Sequence, residues 1–160
     1  MLPLLFLAVL ITVIQSYGQR ITMKIPSFPA TANGLNVLSV NVQTKTPYVS
    51  NLQSGTPVMN AITVTKENGA DINDLFRASL TAQRIPEVRF DYYNAANTLY
   101  FTISLNNVAV ETFNLMNEDC KTPSCLTLLE QIAFQPEIIK MTESPSGKIV
   151  SWNNTLKKAQ

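Results

Sequence analysis

The chain contains no histidine. That absence removes His-based catalytic triads, the HExxH zinc site and most imidazole metal sites. Cysteine is scarce too: Cys120 and Cys125 are the only two, too few for a tetrahedral thiolate site. Charge is sparse at 14% and nearly balanced, with twelve basic and eleven acidic residues. Without a basic excess there is nothing to neutralise a row of phosphates, which argues against nucleic acid as a partner. There is no internal repeat and no low-complexity segment. The one long apolar run, over 2–14, falls short of the ~20 residues that a membrane-spanning helix needs. No nucleophile has a base beside it. Ser144, Ser146 and Ser151 lack a histidine, and no SxxK spacing comes with a supporting motif. The expectation is a protein that is not an enzyme and carries no cofactor and no metal.

What is present is 160 residues, 46% of them hydrophobic, enough for one domain with a real core. The apolar run over 2–14 reads as the core of a secretory signal. Ser16 and Gly18 are small residues at the −3 and −1 positions of a cleavage site. Residues 1–18 are therefore expected to be removed between Gly18 and Gln19, leaving a 19–160 domain that is secreted or periplasmic and makes no membrane contact. An uncleaved anchor or interfacial helix is the alternative, and the length of the run disfavours it.

The mature chain is organised around 62–105. Ile62-Thr63-Val64-Thr65 alternates apolar and polar over a β-branched run, as a half-buried strand does. Gly69 offers a turn, and Asp71 or Asn73 a helix cap. Ile72, Leu75, Phe76, Ser79 and Leu80 then recur at helical spacing, predicting a helix over 71–82 with Phe76 in the core. Ile85-Pro86 stops it, because a residue before proline avoids the α region. Val88, Phe90 and Tyr92 alternate with Arg89, Asp91 and Tyr93, and after a polar turn Leu99, Phe101, Ile103 and Leu105 alternate again.

Around this unit the pattern adds strands. Ile21, Met23 and Ile25 share one face. A strand over 35–43 puts Leu38, Val40 and Val42 on one side. A tight turn at Asn106-Asn107 leads to a strand over 108–115. The segment 126–135 fits a helix through Leu128, Leu129, Ile132 and Ala133. It also alternates as Leu128, Glu130, Ile132, Phe134, and one long bent strand through Pro136 is preferred, with the proline at a bulge or edge. A short strand over 148–152 closes the domain. The sum is a mainly β protein: about eight strands in a small β-barrel or two packed antiparallel sheets, with one flanking α-helix.

Two features point outward. The polar loop 44–55 is long for a hairpin connection, and Tyr48 and Val49 are its large apolar groups, the natural anchors of an assembly contact. Cys120 and Cys125 enclose Lys-Thr-Pro-Ser and in an exported protein are expected to form a disulfide. The carboxylates Glu87, Asp91 and Glu111 lie on strands and read as a wet face rather than an acid–base pair. Tyr92, Tyr93 and Tyr100 gather at one hairpin and read as cross-strand packing. Asn153-Asn154-Thr155 is a formal glycosylation sequon.

Taken in order, several segments resemble the haemolysin-coregulated protein (Hcp) family, the tube proteins of type VI secretion systems. They are Ile62-Thr63-Val64-Thr65-Lys66, Ile85-Pro86-Glu87-Val88-Arg89-Phe90, Leu99 to Val108 with its Asn106-Asn107, Leu129-Glu130 to Ile139, and Gly147-Lys148 to Trp152 with Leu156-Lys157-Lys158. Ala82 stands where the family often has glycine. The resemblance implies a β-barrel with one helix and a structural, non-catalytic role in hexameric rings that stack into a tube. Secretion-system components and effectors are the implied partners. Tube subunits of this kind assemble in the cytosol without a leader, so the chain reads as an exported relative. The alternative is a monomeric secreted or periplasmic barrel that binds a ligand or partner.

Overall fold

Alternating side chains build the sheet, and long-range pairing closes it. The computed structural model of the protein describes residues 19–45, 48–49, 52–53, 57–117 and 127–159. Thirteen strands and one α-helix run in the order β1 (Arg20–Lys24), a 3-10 turn (Pro29–Thr31), β2 (Leu35–Val37), β3 (Ser39–Asn41), β4 (Thr44–Lys45), β5 (Tyr48–Val49), β6 (Leu52–Gln53), β7 (Val58–Met59), β8 (Ile62–Glu67), α1 (Ile72–Thr81), β9 (Ile85–Tyr93), β10 (Leu99–Asn117), β11 (Leu128–Glu143), β12 (Ile149–Asn153) and β13 (Lys158–Ala159). The expected fold class holds: mainly β, one helix, and a nearly closed barrel.

The circuit is traced by the pairs. β1 lies between β2 and β9, β9 pairs β10, β10 pairs β11, β11 pairs β8, and β8 pairs β3, every pair antiparallel. β2 and β3 are separated only by Leu38, so one short stretch of chain joins both ends of the circuit. The inward positions of each strand fill the barrel: Met23, Ile25, Ile62, Val64, Val88, Phe90, Leu105, Ile132 and Phe134 are fully buried. Phe90 and Phe134 stack obliquely across it, centroids 6.4 Å apart.

Several expectations are corrected. The strand expected over 35–43 breaks at Leu38, which is exposed, while Val37 turns inward. Its two halves serve different partners, and no single face survives that change. Asn106-Asn107 is no hairpin turn, since β10 runs straight through it as one 19-residue strand. Asn107 takes a left-handed φ of 50°, which asparagine tolerates better than most residues. It is held there by Arg84 Nη1, which donates to its carbonyl at 2.7 Å, and by its own side-chain amide, which donates to Glu137. The register slips further along, between Val110 and Thr112. The helix covers one flank with Leu75 and Ala78 buried, but Phe76 is 49% exposed and Leu80 lies out in solvent. The helical face that packs is one residue round from the face the apolar spacing suggested. Phe76 leans instead on Phe113 of β10, centroids 5.6 Å apart. The helix ends at Ala82 in the left-handed conformation (φ 52°), a position that usually favours glycine. It stops before Ile85-Pro86, which opens β9 rather than ending the helix.

The long bent strand preferred over 126–141 is present as β11, which runs on to Glu143. Its second edge is shared: β8 pairs with 129–134 and β12 with 138–142. Pro136, buried in the strand, falls in the gap between those two partners. A residue without an N–H is tolerated at a gap in the ladder. Its carbonyl accepts from Asn154 Nδ2 at 2.8 Å.

Candidate assembly surface and the buried ion cluster

Among its described residues, the stretch expected as a long polar loop carries short antiparallel ladders. Gln43 and Asn60 begin it with a backbone hydrogen bond of 3.0 Å and an amide–amide bond of 3.1 Å. Then β4 pairs β7 and β5 pairs β6, Tyr48 opposite Gln53 and Val49 opposite Leu52. Tyr48 and Val49 thus lie in a two-stranded ladder separate from the main sheet. Beside β7, Val42, Val58 and Met59 meet Ile139, Met141, Val150 and Trp152 around an apolar groove of about 260 Å³. Two of its lining residues, Val58 and Val150, are exposed, as is Ile149 beside Val150 in the chain. Contiguous apolar surface of this kind marks interaction sites.

The other site residues fall apart as a catalytic set. Glu111 is exposed at the β10 irregularity, and Glu87 is half-buried on β9. Asp91 departs from the wet-face expectation. It is buried, accepts from Arg89 Nε at 2.8 Å and Thr102 Oγ1 at 3.0 Å, and belongs to a polar stripe with Thr22 and Thr102 across three strands. Ser146 Oγ lies 3.4 Å from Glu143 on an exposed turn. Asn153 of the sequon is buried, and its Oδ1 accepts the Leu156 N–H at 2.7 Å. Cys120 and Cys125 lie outside the described residues, as do 1–18. Among the described residues no group of three acidic, cysteine or histidine side chains is arranged to hold a metal ion. No helix among them is long and apolar enough to cross a membrane.

The tyrosines pack across strands as expected: Tyr92 meets Phe101 edge-on at 5.6 Å and Tyr100 at 6.4 Å. Burial first, and the neighbouring Tyr100 second, push the Tyr92 phenol up from 10.0 to about 12. Below pH 10 the folded and unfolded chains both keep this proton. Between 10 and about 12 the unfolded chain releases it more readily, so stability falls as pH rises through that window. A spectrophotometric phenol titration is expected to show one tyrosine ionising near pH 12, and Tyr92→Phe to remove that step.

Sequence reasoning missed the most unusual feature, an ion cluster under the start of α1. Lys66 Nζ lies 3.0 Å from Asp71 Oδ1 and 2.7 Å from Glu130 Oε2, with all three side chains essentially sealed from water. The register places Lys66 directly opposite Glu130, where unlike charges attract. Asp71 begins the helix without capping it through its side chain; the lysine takes its carboxylate instead. One Asp71 oxygen has no hydrogen-bond donor among the described residues, and the positive end of the helix dipole beside it favours the negative charge. The Gly69 N–H donates to Glu130 Oε1 at 3.1 Å. A Cβ on Gly69 would sit 2.9 Å from Asp71 Oδ1, so this close approach requires glycine. The signal was in the phase. Lys66 continues the inward series Ile62, Val64, and Glu130 the inward series Ile132, Phe134, so two charges stood at core positions and had to be paired.

Three comparisons place the molecule. The family model described as type VI secretion system effector, Hcp, matches residues 30–142. A double-mutant Hcp1 from E. coli EAEC 042 superposes with TM-score 0.71 at 22% identity, covering 86% of this chain and 99% of that one. Hcp1 from Salmonella typhimurium gives TM-score 0.72 at 13% identity, covering 89% and 99%. Hcp1 from Flavobacterium johnsoniae gives 0.61 at 10%, covering 81% and 97%. At these identities the likeness establishes the fold. A comparison with curated proteins found no match.

Proposed function

The chain belongs to the Hcp family of type VI secretion system effectors, and from there we propose that it is a structural, ring-forming subunit that acts outside the cytosol. Family membership over 30–142 carries the reading. It is supported by the apolar groove lined by Val42, Val58, Met59, Met141 and Val150, surface that a lone barrel has no reason to leave uncovered. The ring is a hexamer of copies of this chain, and secretion-system components or effectors are its further partners. Removal of 1–18 after Gly18 delivers the 19–160 domain to a secreted or periplasmic location. The role needs no catalysis and no cofactor.

Light scattering on the 19–160 protein tests the ring. The parent is expected to show a species several times the monomer mass. Tyr48→Asp, in the separate β5–β6 ladder, is expected to melt like the parent while losing its higher-order species. A parent that stays monomeric at every concentration would refute the ring and favour a monomeric binding module with the apolar groove as its ligand site.

Export also fixes the state of the cysteines. Cys120 and Cys125 are expected to be joined, which adds about 2 kcal/mol by the loop-entropy relation for so short a ring. Thiol labelling of the denatured, unreduced exported protein should then find no free thiol; two labelled cysteines would show the bridge to be absent.

A further inference from the structure

We infer that the exported chain is chemically blocked at its first residue, with Gln19 cyclised to pyroglutamate. The inference rests on the proposed cleavage after Gly18, which would free an α-amino group on a glutamine. A glutamine at a chain start holds its amine within reach of its own side-chain amide. The α-nitrogen attacks Cδ, and a new N–Cδ bond forms as the Cδ–Nε2 bond breaks. A proton passes from the α-nitrogen to the departing nitrogen, which leaves as ammonia. Nothing is oxidised or reduced, and no co-reactant is consumed.

The fold leaves room for this ring and gives it a setting. Gln19 is exposed and precedes the first residue of β1. The ladder to β9 begins at Arg20, opposite Tyr93, so Gln19 stands one step outside it. Among the described residues no hydrogen bond engages its side-chain amide, and none must be broken for it to react. Gln19 lies at a cleft shared with Leu38, Tyr92, Tyr93 and Tyr100, and the Arg20 guanidinium sits 4.5 Å above the Tyr93 ring. A free ammonium on Gln19 would place a second positive charge one residue from that guanidinium. The lactam is neutral and compact, and its flat amide suits the aromatic wall. It also denies aminopeptidases a free amine next to β1, the strand that carries Met23 into the core.

The test expresses the full 160-residue chain in a host that exports it. The exported species is incubated at neutral pH until its mass stops changing, then digested and its N-terminal peptide weighed. The expected peptide begins at residue 19, is lighter than its sequence by one ammonia, and does not react with an amine label. Gln19→Ala, at an exposed position, is expected to be exported equally and to label fully. A peptide that begins at Gln19 with its full mass and labels would overturn the cyclisation and leave the cleavage standing. A peptide that begins elsewhere would overturn both.

Discussion

Lys66→Met is expected to unfold the domain or to cost it about 3–5 kcal/mol, the usual penalty for removing one partner of a buried ion pair. The reason is local. Asp71 and Glu130 would remain sealed from water with no cation between them, and a carboxylate buried alone costs far more than any contact the methionine could offer. Single domains have only about 5–15 kcal/mol of stability in total, so this change is among the largest that one side chain can produce. Urea unfolding followed by circular dichroism measures it. The combined replacement Lys66→Met, Asp71→Leu, Glu130→Met separates charge from packing. Exchanging a whole buried ion cluster for apolar groups of similar size is often neutral, so the triple variant is expected to recover most of the loss. If it is as unstable as the single variant, shape rather than charge is what the cluster supplies.

The second large effect contrasts two phenylalanines. Phe134→Ala is expected to cost about 3–5 kcal/mol, the range for emptying a buried aromatic site. Phe134 is fully buried and faces Phe90 across the barrel. Phe76→Ala is expected to cost about 1 kcal/mol. It surrenders the ring contact with Phe113 and only part of a side chain's burial, because half of Phe76 already meets water. Urea midpoints for both variants decide it. A Phe76→Ala loss as large as that of Phe134→Ala would mean that the flank of the helix is as much core as the barrel interior.

That contrast also marks the limit of the sequence. Ile62, Val64, Val88, Phe90 and Leu105 were legible as inward residues because a strand inside a barrel has one dry side, and a period of two finds it. The helix was legible as a helix, but its buried face was not. Ile72, Leu75, Phe76 and Leu80 fit one apolar arc; Leu75 is buried as that arc suggests, but only the surface beneath, built from β10, selects Ala78 beside it rather than Phe76 and Leu80. Leu38 was unreadable for a related reason: a strand that changes partners in mid-course changes faces, and nothing local announces the change. The short ladders within 44–59 were not legible because the sequence there is rich in polar residues and prolines and carries no sustained alternation of period two. The ion cluster was half visible. The phase of Lys66 and Glu130 pointed inward, but that the two stand opposite one another is set by a pairing between distant segments.

The closure of the barrel through β8 and β11 has a consequence for timing. Val64 pairs with Ile132, and Met23 with Phe90, so the strands that shut the barrel wait for partners encoded far along the chain. Pairings of this kind require large loops to be closed before any contact rewards them, and proteins dominated by them fold in milliseconds to seconds rather than microseconds. Until Phe134 and its neighbours have been synthesised, the earlier strands have no lid, and Lys66 has no Glu130. A growing chain of this sequence therefore lacks the partners that close its barrel until late in its synthesis.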